Sequence, residues 1–180
     1  MRAPARGHKT MRRFLDFLYD AAAWAAALAM IGVLLMVLTS ILGRLLSFHL
    51  PGTDAYAGYS MAAAGFLALA HTLKKGEHIR VTLIIGRLTG GARRGVELWS
   101  LAVATLLAGL FAFYSCRLVW QSQLFNDMST SNDATPLWIP QLGMAIGTVL
   151  LFMAFIDELL LELQGRRQHD AHGEEALHNE

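Results

Sequence analysis

The chain has 180 residues, of which 54% are hydrophobic and 16% are charged, and its formal net charge is +1. This composition leaves no room for a soluble domain of ordinary size beside the long apolar runs that the chain contains. The low net charge conceals a strong segregation of basic residues, which membrane topology explains better than nucleic-acid binding does.

Four long runs contain no Asp, Glu, Lys or Arg. They cover 21–43, 55–73, 98–116 and 134–156, with 23, 19, 19 and 23 residues. A helix needs about 20 residues to cross a hydrocarbon core of about 30 Å. The sequence therefore predicts an all-α membrane protein with four transmembrane helices. The first run could instead be a cleaved signal peptide, but it is too long for one and no small-residue cleavage site follows it.

Basic residues are concentrated in every second hydrophilic segment. Residues 1–20 carry five, 74–94 carry six and the tail carries two, whereas Arg44 and Arg117 stand alone on the other segments. Because cytoplasmic flanks retain Lys and Arg, both termini and the central loop are predicted to be cytoplasmic. A multi-pass membrane protein is therefore expected.

The predicted organisation follows from these patterns. A basic cytoplasmic N-terminus covers 1–13, the membrane domain covers 14–164, and a disordered cytoplasmic tail covers 165–180. The elements of the membrane domain are helix 1 over 14–46, helix 2 over 55–74, an amphipathic interfacial helix over 77–90, helix 3 over 93–120 and helix 4 over 136–163.

Helix 1 is expected to emerge into the cytoplasm. Apolar side chains of 14–20 share one face, while Asp16 and Asp20 are four residues apart on another. Pro51-Gly52 then marks a short outer turn before helix 2.

Small residues recur at helical spacing in two of the predicted helices. Gly58, Ala62 and Gly65 form such a series in helix 2, and Gly143 and Gly147 form a GxxxG pair in helix 4. Small residues let helices approach closely in lipid, so all five are candidates for packing against a partner. Packing within the chain explains the GxxxG pair equally well.

The segment after helix 2 has the pattern of an interfacial helix. Val81, Ile84, Ile85 and Leu88 form an apolar stripe. A short strand over 79–83 also fits the alternation, but its backbone hydrogen bonds would be unsatisfied at a membrane. The side chains predicted to meet lipid headgroups are Lys74, Lys75, His78, Arg80 and Arg87.

The outer segments hold the candidate docking residues for a soluble partner. The loop before helix 4 is polar and rich in turn-forming residues. The charged candidates on the outer side are Arg44, Arg117, Asp127 and Asp133.

The sequence contains no recognisable set of catalytic residues. His71 is the one titratable histidine within an apolar run, where hydrogen bonding across helices is favoured over a proton relay. Cys116 is the single cysteine, and no HExxH motif or glycine-rich nucleotide loop is present. We therefore predict no catalytic residues, no metal site and no cofactor.

The segment 57–81 resembles a known family. It runs from a small-residue helix into Lys75-Gly76-Glu77-His78-Ile79-Arg80-Val81, and this is similar to the central signature of the small membrane subunit, DctQ type, of tripartite ATP-independent periplasmic (TRAP) transporters. A second similar motif is Pro136-Leu137-Trp138-Ile139-Pro140 before the last helix. The resemblance covers most of residues 12–165.

The resemblance implies two protein partners. One is a large membrane subunit that holds the sodium and substrate sites, and the other is a periplasmic substrate-binding protein that captures organic anions. The chain itself would be a scaffold without enzyme activity. The alternative is a self-assembling four-helix transporter or channel, which the absence of a charged residue within the runs disfavours.

Overall fold

The computed structural model describes residues 6–48, 50–75, 91–131 and 133–163. In these ranges the chain forms four α-helices and no strand, so the predicted all-helical fold is confirmed. The helices are α1 (Arg6–Leu45), α2 (Thr53–Lys74), α3 (Gly91–Leu124) and α4 (Trp138–Leu163). The predicted interfacial helix over 77–90, with His78, Arg80 and Arg87, and the tail over 165–180 lie outside the described residues.

Two helix ends lie more than two residues beyond their predicted positions. Helix α1 begins at Arg6 rather than at residue 14, and α3 continues to Leu124 rather than to residue 120. A residue with a left-handed backbone follows the last residue of each helix by two positions, Ser47 with φ of 53° after α1 and Asn126 with φ of 51° after α3.

The helices pack as a row. The principal contacts join α1 to α2, α2 to α4, and α4 to α3. Helices α1 and α3 therefore form the two edges, and this order explains why 6% of the most apolar window of α1 is buried, against 17% in α3 and 33% in α4. A row of helices exposes two broad apolar faces, as a protein surrounded by lipid or by a membrane partner does.

Three of the helices are long and apolar enough to cross a membrane. The candidate spans are Leu15–Leu45, Gly95–Leu124 and Trp138–Leu163. Helix α2 is not among them, because Tyr, Ser, Gly and His residues lower its mean hydropathy. At 22 residues α2 is nevertheless about 33 Å long, and it lies between α1 and α4.

The two ends of the row differ. The loop end carries the connection 46–52 and the loop 125–137, which meet where Gly52 lies against Asp133. At the opposite, terminal end, α1 begins and α4 ends. There Tyr19, Ala22, Ala70, Leu150 and Ala154 form a buried cluster from α1, α2 and α4.

Candidate partner interfaces

The middle of α2 presents an open face of small residues. This open α2 face consists of Gly58, Met61, Ala62 and Gly65, all of which are exposed. A Cβ atom added at Gly58 or Gly65 would meet nothing within 4 Å. The face is therefore unoccupied by the described part of the chain, and the assignment of Gly58, Ala62 and Gly65 to partner packing stays a prediction.

A groove continues this face toward α1. Its volume is about 490 Å³, and α2 contributes Ala64, Gly65 and Ala68 to its lining. Helix α1 contributes Ala23, Ala26, Ala27 and Met30. Because the lining is mostly alanine and glycine, a helix seated there could bring its backbone close to both α1 and α2.

The glycine pair of α4 faces α2 of the same chain. A Cβ at Gly143 would lie 2.9 Å from Cβ of Ala63. A Cβ at Gly147 would overlap the backbone carbonyl of Phe66. The GxxxG spacing is thus explained by contact within the chain, which was one of the two alternatives, and a role of Gly143 and Gly147 in packing against another protein stays a prediction.

At the loop end, the loop before α4 is tied to α2 by a set of contacts that we call the loop lock. Its residues are Gly52, Tyr56, Tyr59, Ser129, Asp133 and Thr135. The Tyr59 hydroxyl donates to Asp133 Oδ2 at 3.1 Å and lies 2.8 Å from Ser129 Oγ. Tyr56 Oη and Thr135 Oγ1 are 3.0 Å apart. The lock fixes the loop over the start of α2.

Close packing and electrostatics both support the lock. Gly52 has a φ of 84°, and a Cβ there would lie 2.8 Å from Cβ of Asp133. Partial burial of Asp133 opposes its ionisation, but hydrogen bonds from Thr135, Ser129, its own backbone and Tyr59 hold the pKa of Asp133 below its ordinary value. Asp133, a candidate docking residue, is therefore already engaged within the chain.

The other candidate docking residues have different surroundings. Arg44 Nη2 lies 3.9 Å from Asp54 Oδ2. Both residues line a cavity of about 600 Å³, together with Ser40 and Ser131. Asp127 is exposed, and its backbone carbonyl accepts a hydrogen bond from Leu137 N–H at 3.0 Å. Arg117 lies within the candidate span of α3 rather than in the loop. Docking of a soluble partner at these residues stays a prediction.

At the terminal end, Asp16 and Asp20 of α1 lie next to Lys74 and His71 of α2. Lys74 Nζ pairs with Asp16 Oδ1 and lies 4.6 Å from the centroid of the Tyr19 ring. His71 Nδ1 lies 3.6 Å from Asp20 Oδ1. We call these contacts the α1/α2 clamp.

The clamp gives Lys74 contacts within the chain. Its ammonium group contacts Asp16 and Tyr19, and its contact with lipid headgroups stays a prediction. Lys75 is exposed at the end of α2, and its contact with lipid stays a prediction. His71 hydrogen-bonding across helices was the favoured interpretation, and its neighbour across the helix pair is Asp20.

The sequence does not single out several residues of these sites, among them Tyr59, Tyr19 and Asp16. In the sequence, Tyr59 is distinguished only by its polar group within an apolar run. Tyr19 is distinguished only by its place on an amphipathic segment. Tyr19 is only 1% exposed, and its hydroxyl has no hydrogen-bond partner among the described residues. Asp16 was visible as one of an i, i+4 acidic pair, but its partner on α2 was not.

The geometry does not assemble a reaction centre within the described ranges. No group of three or more His, Cys, Asp or Glu side chains in that part of the chain could hold a metal ion. Cys116 is exposed there and forms no disulfide. The polar contacts described above instead join helices and hold loops.

Comparison with known proteins identifies the family. No curated protein matches the chain. The protein-family model for the DctQ component of tripartite ATP-independent periplasmic transporters matches residues 33–165, which is well over half of the chain. This family is a transport component and not an enzyme family, and it implies association with a large membrane subunit and a substrate-binding protein. The chain belongs to the DctQ family, and it is a small multi-pass membrane component of a TRAP transporter.

Proposed function

We propose that the chain is a scaffold subunit that supports the large transport subunit of a sodium-coupled, binding-protein-dependent transporter in the bacterial inner membrane. The proposed solute is an organic anion of the carboxylate class. Sodium and solute bind to the large subunit, and this chain holds that subunit in place. All four helices cross the bilayer, so that α2 is a span in addition to the three candidate spans. Both termini are cytoplasmic.

The observation that carries the proposal is the absence of charge within the apolar runs combined with an unoccupied packing face. Asp, Glu, Lys and Arg are absent from 21–43, 55–73, 98–116 and 134–156. Transporters that bind ions keep ionisable groups inside the membrane despite the free-energy cost. The groove between α1 and α2 is lined by Ala, Gly and Met residues together with His71 and Thr72 at its terminal end. Its alanine and glycine surface suits a packed helix.

The open α2 face is the surface that we assign to the large subunit. The second half of α1 exposes large side chains, for example Leu34, Leu38 and Ile41, and these suit contact with lipid chains. Gly58, Ala62 and Gly65 would leave a shallow depression facing lipid. Van der Waals contact with a partner helix fills such a depression better than mobile lipid does.

Basic residues set the depth and orientation of this scaffold. The terminal end carries the basic N-terminus and Lys75, so the positive-inside rule places it in the cytoplasm. Lys75, His78, Arg80 and Arg87 contact lipid phosphates, at about 1 kcal/mol for each Lys or Arg near an anionic surface. The α1/α2 clamp lies at the same end and holds α1 against α2.

The loop end faces the periplasm in this arrangement and receives the substrate-binding protein. Arg44 and Asp127 are the exposed charges proposed for docking. The loop lock supports this role because it presents the loop in one conformation, which reduces the entropy lost on binding.

The alternative is a channel or transporter formed by several copies of this chain, with the open α2 face as the contact between copies. The full-length chain should be extracted from its native membrane in a mild detergent and the complex analysed by mass spectrometry. We expect one copy of this chain with one large multi-pass membrane protein. Complexes that contain only copies of this chain would contradict the scaffold function and support the alternative.

A further inference from the structure

Arg117 is a cation at the edge of an apolar surface. It follows directly after the uncharged run 98–116 and lies inside the candidate span Gly95–Leu124 of α3. Its side chain is exposed, and it makes no ion pair with any described residue. Trp120, 69% exposed, follows within one helical turn. Tryptophan at this position is typical of the level of lipid headgroups, and an arginine side chain near this level can reach the headgroup phosphates.

Arg117 lines a groove between α3 and α4, which we call the α3 groove. The groove has a volume of about 460 Å³. Phe111, Leu118 and Met144 are the apolar residues of its wall, and Tyr114, Ser115 and Gln121 add polar atoms. Along α3, the distance from Phe111 to Gln121 is about 15 Å, which is half of a hydrocarbon core of about 30 Å. Arg117 and Gln121 lie in the half of the groove nearer the loop end, and Phe111 lies at its deeper end.

The side chains around the α3 groove favour a lipid over a protein helix. Phe113, Tyr114 and Trp120 are more than half exposed on α3. Large side chains of this kind keep a partner backbone at a distance, whereas helix contacts in membranes are enriched in small residues. The open α2 face has such small residues, whereas the exposed residues of α3 over 111–120 are large, with the exception of Cys116. An occupant with an anionic head and an apolar chain matches the charge of Arg117 and the apolar wall together.

We propose that the α3 groove binds one phospholipid, whose phosphate contacts the Arg117 guanidinium and whose acyl chain lies along Phe111, Leu118 and Met144. The guanidinium presents a planar set of donors that suits phosphate oxygens. The site requires that α3 crosses the membrane, and it does not depend on the scaffold function. Its occupant would fix the depth of the α3 edge in the leaflet next to the loop end.

The test uses the full-length chain, extracted in a mild detergent together with its accompanying proteins, and native mass spectrometry of the lipids that it retains. R117Q should lower phospholipid retention by about fivefold or more, the factor expected for one lost basic contact at an anionic surface. R117K keeps the charge and should retain most of the lipid. R44Q is the matched control, because Arg44 is also at the loop end but lies beside Asp54, and it should retain lipid as the parent chain does.

Several results would overturn the proposal. R117Q could retain as much phospholipid as the parent chain, or R117Q and R44Q could lose it equally. Displacement of the lipid by inorganic phosphate alone would show a site for free phosphate. Loss of the large subunit from R117Q with unchanged lipid would assign the cation to a protein partner.

Equal thermal unfolding temperatures of R117Q and R117K would show that a difference in lipid retention does not come from misfolding.

Discussion

The Tyr59 hydroxyl on α2 donates a hydrogen bond to Oδ2 of Asp133, which lies 74 residues later in the chain, at 3.1 Å. This contact joins the start of one helix to the loop that precedes another. With Gly52 packed against the same aspartate, it ties the surface of the loop end to the start of α2.

Removal of the Tyr59 hydroxyl should loosen the loop while leaving the helices intact. In Y59F, Asp133 loses one donor and Ser129 loses its neighbour at 2.8 Å. We expect faster amide hydrogen exchange at residues 127–137 at neutral pH and unchanged exchange in α3 and α4. Tyr114 is an exposed tyrosine outside the lock, so Y114F is the matched control. Equal exchange in Y59F and the parent chain would show that the lock does not hold the loop.

The loop lock should also weaken in acid. Because the pKa of Asp133 is lower in the folded chain than its ordinary value, ionised Asp133 stabilises the lock fully above about pH 3.9. That stabilisation is lost as the pH falls through the folded pKa. Pepsin is active in this range and can cleave near Leu124 and Phe125, which are 64% and 69% exposed. The ratio of cleavage rates of D133N and the parent chain should fall toward one with decreasing pH; a constant ratio would contradict the pKa direction.

Filling the open α2 face should disrupt the complex without disrupting the chain. In G65L the added side chain enters open space in the isolated chain, but it would occupy the position of a partner helix. We expect the amount of large subunit that copurifies to decrease by about tenfold, as a loss of about 1.4 kcal/mol of association free energy would produce.

The control for this substitution is G95L. A Cβ at Gly95 also meets nothing within 4 Å, but Gly95 lies near the start of α3. G95L should copurify with the large subunit as the parent chain does. Equal copurification of G65L and G95L would place the large subunit on another face.

Substitution of Gly147 should act on the fold instead. A side chain there would overlap the carbonyl of Phe66 between α4 and α2. Overpacking of this kind costs about 1–3 kcal/mol, so G147A should unfold at a lower temperature in detergent than G65A. If G147A is as stable as G65A and loses the large subunit, Gly147 belongs to the partner interface after all.

The α1/α2 clamp should make a small, measurable contribution to stability. Asp16 and Lys74 have side chains that are 56% and 29% exposed, so solvent screens their attraction, and a coupling energy of about 0.2–1 kcal/mol is expected. A double-mutant cycle with D16N and K74Q, measured by unfolding in detergent, gives this energy directly. A coupling energy of zero would leave Lys74 free for the lipid contact first predicted for it.

The repeating patterns of the sequence predicted the helices, but not their neighbours. Apolar run length and helical spacing are local properties, so α1, α3 and α4 could be recognised as long apolar helices. The start of α1 at Arg6 and the end of α3 at Leu124 lie outside the apolar runs, so the apolar pattern does not predict them. Helix α2 is less apolar because it carries polar residues, including Tyr59 of the loop lock.

The candidate sites could be predicted only as far as residue type allowed. Gly65 and Gly147 look alike in sequence, yet one faces open space and the other faces Phe66. That difference depends on how α4 is placed against α2, which is a tertiary property. For the same reason Lys74 was assigned to lipid, since its partner Asp16 lies 58 residues away.

The central claim is that this chain braces a transporter and carries no solute itself. The most direct test is sodium-gradient-driven uptake of an organic anion into liposomes that contain either this chain alone or the chain with the large subunit and the substrate-binding protein. The scaffold function predicts no uptake with the chain alone, uptake with all three proteins, and loss of uptake when this chain is omitted. Gradient-driven uptake by the chain alone would contradict it.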